Sequence, residues 1–500
     1  MKHTMLKYLQ HKEVEKKVRS LDPINNDLLY TLDDIGNGLL FANTFGDVIR
    51  YNVDFRMWMY YDNQKWCEDR ESVVAMQAGE ALARVLYLLC VDGTKDQRLH
   101  YERLGSVSTR KRMLEDAIKH CSISAEMFDS RLKFINMMNG VYNLETHSLI
   151  DHDPELYLSK MMGVSYDPEA RSPLWDKFIS DIMQDDPDKI AFLKRVLGYS
   201  LLGTACEDKL FLLYGATTRN GKSTLCDTIL SVFGDYGVFL PSAVLGTKTY
   251  NNPGSADENT SELKGARFCH MEEPSQSMRF DVALVKSWTG GTKIKARRLH
   301  QHNVTFGTTF TMFLACNYLP RVDDPTLFTS GRLCVIPFNR HFEEHEQDKS
   351  LKEKLKADKV KSAVFNWLIE GLKDYQKNGL NTPGVISSEV NQYAKASDKL
   401  MLFVNDELIR APGKTIKAGV LYEKYKEWCF RCGNGTESYQ HFNEILRRRG
   451  LMSERGTIAG KTVKNVIKDF RFREALDGDE QEDSSTDDKG FSETDDIPFG

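Results

Sequence analysis

Apolar residues recur along this chain with different periods, and the changes of period divide it. Near the start, Leu6, Leu9, Val14 and Val18 share one face of a charged segment, which predicts a short amphipathic helix. Across 50–68, aromatic and polar residues alternate on both sides of Asp62-Asn63, a hairpin pattern. Helical spacing takes over in 74–92 and 110–137. The stretch NGVYNLETHSLI (139–150) reads as a turn with a short hairpin, and 174–202 as two helices parted by Asp186-Pro187. From Lys209 to Phe338, short apolar runs (KLFLLYG, ARFCHM, FTMFLACN, RLCVIPF) alternate with glycine-bearing loops and helix-like segments. Buried strands alternating with helices predict an α/β unit with a largely parallel sheet. Residues 343–380 return to charged amphipathic helix, and 388–473 hold helices and a late strand pair around Gly456 and Gly460. The expected organisation is a multidomain α/β chain. It has an N-terminal region with a hairpin (1–70), a mainly helical domain (71–205), an α/β core (206–345), a helical connection (346–387), a second mixed domain (388–473) and a disordered acidic tail (474–500).

Composition sharpens this picture in two places. Of 500 residues, 41% are hydrophobic and 28% charged, and the formal net charge is −5. The tail from Glu474 holds eleven acids and one base, which leaves the first 473 residues with 66 bases and 61 acids. A mildly basic body with a strongly acidic tail points towards nucleic acid or towards an acidic interaction arm. The longest apolar run, Val85 to Val91, is far short of the roughly 20 residues of a membrane span, and the charged N-terminus has no apolar signal region. We therefore expect no membrane, and a cytoplasmic location. The ten cysteines lie singly apart from Cys429-Phe-Arg-Cys432, half of a zinc pattern with no second half, so packed thiols are expected.

The candidate chemistry begins at KLFLLYG-ATTRN-GKST. An apolar strand enters a loop of Gly215, Ala216, Thr217, Thr218, Arg219, Asn220 and Gly221, and a helix opens at Lys222-Ser223-Thr224. Backbone N–H groups and a helix N-terminus hold phosphate oxygens, Lys222 bridges β- and γ-phosphates, and the Ser223 hydroxyl ligates Mg²⁺, so ATP and Mg²⁺ are the expected cofactors. The loop is one residue longer than the standard spacing. About fifty residues on, Glu272-Glu273 close an apolar strand: one carboxylate holds Mg²⁺ and the other polarises water, with Glu273 our choice of base. Asn317 ends another apolar strand, where an amide orients water, though an Asn there also serves as an ordinary cap. Arg332, just before LCVIPF, is either a surface arginine or a finger reaching a neighbouring subunit's γ-phosphate.

In order, GATTRNGKST, ARFCHMEEP, VKSWTGGTKIKARRLH, TFTMFLACNYLP and GRLCVIPFNR resemble the motifs of superfamily 3 helicases, and most closely the ATPase of phage and plasmid primase–helicases. Upstream, NGVYNLETHSLI, SYDPEARSPLWDKFI and FLKRVLGYSLLG resemble the helical domain that precedes that ATPase, so the likeness covers about 30–345. It implies an AAA+-type P-loop core and a winged-helix-like domain over 388–473. Thr292 stands where the family carries Asp, and no primase signature precedes residue 30, so only the helicase half is implied. The family places a basic hairpin in a central channel. Here that implies DNA contacts from Lys286, Lys293, Lys295, Arg297 and Arg298, where a solvated basic loop is the plain alternative. Arg447, Arg448 and Arg449 end a helix of the winged region and suit phosphates, or simply their own helix dipole. The tail's Asp-Asp-Ile-Pro-Phe resembles the docking tip of bacterial single-strand-binding proteins, except that Gly500 follows Phe499.

The expected function is thus an ATP-driven, ring-forming DNA helicase, a homo-hexamer acting on single-stranded and forked DNA. A separate primase and other replication proteins are its expected partners, reached through the tail. The alternatives are a P-loop ATPase that moves DNA without unwinding it, or a non-catalytic origin-binding module.

Overall fold

In the computed structural model, residues 6–247, 260–297, 303–433, 435–458 and 460–473 are described. The chain divides into two units, Met1–Ala394 and Lys395–Gly500. The acidic tail with its expected docking tip, and Arg298, lie outside the described residues.

The first unit opens with helices α1 (His11–Leu21), α2 (Asp34–Phe45), α3 (Val73–Leu89), α4 (Lys95–Arg103) and α5 (Val107–Cys121). Strands β1 (Ile49–Asn52), β2 (Met57–Tyr61), β3 (Trp66–Asp69) and β4 (Ser122–Ile123) form a sheet in the order β3-β2-β1-β4. The expected hairpin is β2–β3, with Tyr61 opposite Trp66. One apolar cluster runs from Leu9 to Cys121, so the stretches we divided at residue 70 share a core. By length and composition the helical segment Arg70–Asp92 is apolar enough to cross a membrane. Its Ala75, Ala78, Leu82, Val85 and Leu86 are fully buried in that core. The 71–205 stretch also carries a small antiparallel sheet, β5 (Phe134–Met137), β6 (Gly140–Asn143) and β7 (Ser148–Ile150), beside the expected helix pair α6 (Pro173–Met183) and α7 (Pro187–Tyr199). Asp186 caps α7 through the N–H groups of Asp188 and Lys189.

The centre is a sheet of β8 (Leu210–Tyr214), β9 (Gly237–Pro241), β10 (Phe268–Glu272), β13 (Thr311–Cys316) and β14 (Leu333–Pro337). Its order is β14-β8-β13-β10-β9, and every pairing is parallel. Strands β8, β13 and β14 are buried along nearly their whole length because both faces are covered, whereas β10 carries His270 and ends in Glu272, and the edge strand β9 leaves Phe239 exposed. Phe211 and Leu213 enter the cluster holding α6, α7, α8 (Lys222–Phe233) and α10 (Asp358–Asn378), whereas Leu210 and Leu212 enter the cluster that includes Val285 and Trp288 of α9 (Val282–Thr289). A two-stranded hairpin, β11 (Ile294–Arg297) with β12 (Asn303–Phe306), projects between α9 and β13. Helices from both sides of the core in sequence meet behind it: a Cβ at Gly198 of α7 would lie 2.3 Å from Leu372 N, and one at Gly371 of α10 would lie 2.0 Å from Lys194 O. Only glycine permits that crossing.

The second unit runs α11 (Lys399–Glu407), β15 (Leu408–Lys417), α12 (Ala418–Arg431), α13 (Tyr439–Arg448), β16 (Met452–Ile458) and β17 (Lys461–Phe472). Its antiparallel sheet has the order β15-β17-β16. Phe403, Tyr425, Trp428 and Phe442 fill its core, with Cys429 buried there and Cys432 exposed.

Candidate functional site

The sheet order sets the site. The strand carrying Asn317 lies between the strand that feeds the loop and the strand that ends in Glu272. Because all are parallel, the loop, Glu272 and Asn317 emerge at the same edge, with Ala315 opposite Glu272 and Cys316 opposite Tyr214.

Loop residues 216–219 are exposed, while Gly215, Asn220 and Lys222 are buried. Among the described residues, no N–H from 216 to 224 donates to a protein acceptor, and the first turn of α8 has no helical acceptors of its own. The row is held open from below. Gly215 N donates to Cys316 O (3.2 Å), Asn220 Nδ2 to Thr217 O (2.6 Å) and Phe342 N to Arg219 O (2.9 Å). Gly221 has φ +84°, and a Cβ there would sit 2.4 Å from Ile182 Cγ2. A Cβ on Gly215 would fall 3.2 Å from the Lys222 ammonium.

Lys222 is 6% exposed. Its Nζ donates to Asn317 Oδ1 at 2.8 Å and to Gly215 O at 3.4 Å, both neutral oxygens. Burial therefore holds its pKa below the usual lysine value. Among the described residues this buried cation has no carboxylate within ion-pair distance and adjoins N–H groups with no protein acceptor, an arrangement whose chemistry suits an anion.

Facing it is Glu272. The His270 ring, fully buried two residues earlier, bonds Glu272 Oε1 at 2.8 Å and lowers the pKa of that carboxyl; the Ser223 hydroxyl and the charge of Lys352 lower it further. Lys352 itself pairs with Asp227 of α8 at 2.8 Å. Glu272 and Ser223 are thus brought together, with Ser223 exposed at the helix N-terminus. Glu273 is exposed, and its backbone is in the left-handed region (φ +51°) with its N–H on Ala315 O. The two acids that the sequence left indistinguishable therefore differ: Glu272 is braced beside Ser223, and Glu273 stands free of side-chain partners among the described residues.

Arg332 lies at the opposite edge, before the first residue of β14. A five-residue strand separates the two edges by about 16 Å. Its guanidinium donates to Thr289 Oγ1 (2.5 Å) and Lys286 O (3.3 Å) and lies 3.6 Å from Asp208. It has no access to its own chain's loop.

The basic residues separate as well. Lys286 is on α9 rather than the hairpin, donating to Thr326 Oγ1 at 2.5 Å. Lys293 and Lys295 are exposed and alternate with buried Ile294 and Ala296, and Arg297 ends the strand opposite Asn303. In the second unit, Arg447 donates to Asn465 (2.8 Å), Arg448 pairs with Glu444 (2.5 Å) and Arg449 with Asp398 (2.5 Å).

Three contributors escaped sequence reasoning: His270, Ile182 and the segment 338–342, whose His341 Nδ1 meets Thr218 O at 2.8 Å. The one signal for His270 was a lone polar residue inside an otherwise apolar strand.

Comparison with known proteins agrees with the resemblance drawn from the motifs. Residues 38–184 match the family described as D5 N terminal like. The chain is 29% identical over 325 residues to a "Putative helicase" of Acanthamoeba polyphaga mimivirus, covering 60% of this chain and 33% of that protein. It is 24% identical over 359 residues to a "Putative helicase" of Invertebrate iridescent virus 6, covering 63% and 36%. It is 26% identical over 330 residues to a "Putative primase" of African swine fever virus, covering 61% and 34%. The match spans about a third of the length of each of these relatives. Among solved structures, the NrS-1 C terminal region is matched with TM-score 0.48 at 12% identity, over 84% of this chain and 95% of that one.

Proposed function

We propose that this chain is an ATP-dependent DNA helicase of viral replication, acting as a ring. One observation carries the reading: a buried ammonium, Lys222, that among the described residues is held by neutral oxygens alone, beside a row of N–H groups with no protein acceptor there, and that faces the Glu272–Ser223 pair. The loop residues Gly215 to Thr224 would hold the phosphates of ATP, and Ser223 with Glu272 would hold Mg²⁺, which supplies charge neutralisation across the phosphates. Lys222 would exchange Asn317 for phosphate oxygen, releasing that amide to orient water. Glu273, with no side-chain partner among the described residues, would take the water's proton. Arg332 would serve a neighbouring subunit's site, which makes oligomerisation, as a hexamer, part of the reading. Exposed Lys293 and Lys295 would neutralise phosphates of single-stranded DNA without reading sequence. The second unit's element order and three-stranded sheet suit a winged helix, with Arg447 and Arg448 towards the backbone.

The test is ATP turnover with and without single-stranded DNA, alongside native mass and strand displacement on a forked duplex. DNA-stimulated turnover by an oligomer that unwinds the fork is expected. Turnover without displacement would reduce the reading to an ATPase that moves DNA, and absence of turnover would remove it.

A further inference from the structure

Strand β10 reads Phe-Cys-His-Met-Glu, and alternation puts Phe268, His270 and Glu272 on the same face of the sheet. The His270 ring is fully buried, near-parallel to Phe268 (22°, 6.3 Å) and 5.8 Å from Phe239. An aliphatic side chain would fill such a place without a polar group to satisfy. Nε2 lies 2.8 Å from Glu272 Oε1, while Nδ1 is buried with no partner among the described residues. A proton on Nδ1 would leave that N–H without an acceptor and set the Nε2 lone pair against a carboxylate oxygen. A proton on Nε2 satisfies the contact and leaves only a lone pair unpaired.

We propose that His270 is a positioning residue for the magnesium site: held as the Nε2–H tautomer, it engages one oxygen of Glu272 and fixes the carboxylate so that the other oxygen faces Ser223. The role rests on the magnesium–nucleotide reading above. Outer hydrogen bonds of this kind set the orientation of ligating groups, and their loss costs about 10- to 100-fold in metal affinity.

Two substitutions in the full chain separate the donor from the packing: His270→Gln keeps an N–H near the Nε2 position, and His270→Leu keeps bulk alone. The primary readout is binding of a fluorescent ATP analogue titrated with Mg²⁺. Leu should weaken the Mg²⁺-dependent gain in affinity by about tenfold, leave Mg²⁺-free binding unchanged, and raise the Mg²⁺ concentration needed for half-maximal turnover; Gln should recover most of the loss. Nitrogen-15 NMR of the unaltered chain gives a second readout that needs no variant to fold, and should report the Nε2–H tautomer for His270. An Nδ1–H tautomer, or a Leu variant with unaltered Mg²⁺ dependence, would overturn the role. An unaltered chain that binds the analogue equally with and without Mg²⁺ would overturn the underlying nucleotide reading, and this role with it.

Discussion

The Lys222 ammonium donates to the Asn317 amide oxygen at 2.8 Å, joining the first residue of α8 to the end of the neighbouring strand. The bond places two motifs, 95 residues apart, in one site. On the nucleotide reading, this is the bond that Lys222 would trade for a phosphate oxygen.

From this we expect Lys222→Met to lower nucleotide affinity or turnover by at least about 100-fold, the scale of losing a charged donor to developing phosphate charge. Stability should move the other way. The folded pKa of Lys222 is depressed by burial, so the unfolded chain binds the proton more tightly and the charged form is destabilising at neutral pH. Melting of the nucleotide-free variant should occur at or above the parent temperature. A clear fall would mean that Lys222 is a structural residue.

Asn317→Ala should retain nucleotide binding and lose kcat by roughly 10- to 100-fold, since positioning rather than affinity is removed. Equilibrium binding and steady-state turnover, measured on the same preparation, check the split.

Gly221→Ala should destabilise the chain by about 2 kcal/mol or more, from a left-handed backbone and from overpacking against Ile182. Adding Ile182→Ala relieves only the contact. Denaturant titration of both single variants and the double variant should show a favourable coupling between the two sites that stops short of full recovery.

Arg332→Ala should leave nucleotide binding intact and reduce turnover by about 10³-fold, the scale of a finger supplied in trans. Mixing it with Lys222→Met subunits should restore some turnover, because one subunit supplies the arginine and the other the intact loop. The Arg332 contacts to Thr289 and Asp208 predict a modest loss of stability as well. Failure of mixed subunits to recover activity would assign Arg332 to those intrachain contacts alone.

Glu272 has a pKa depressed below 4.5, first by its bond to His270. Its contribution to stability is therefore present above the unfolded value and lost as pH falls through the folded one. Glu272→Gln should flatten the acid limb of the stability curve below about pH 4.5, in a denaturation series at fixed salt.

The linear chain already contained the apolar strands, the glycine-bearing loop, the order of motifs and the charge contrast at Glu474, because these depend on residue type and near spacing. Whether Glu272 or Glu273 faced Ser223 did not. One residue along a strand turns a side chain to the other face, and two adjacent carboxylates carry no mark of which turn is taken. The Ile182 contact that restricts Gly221 and the intrachain capture of Arg332 likewise had no local signature. Each of these two joins segments tens of residues apart. Only the parallel order β14-β8-β13-β10-β9 placed the loop, Glu272 and Asn317 at one edge and Arg332 at the other. That order is selected by covering two apolar sheet faces at once, which is a property of the packed whole rather than of any single stretch.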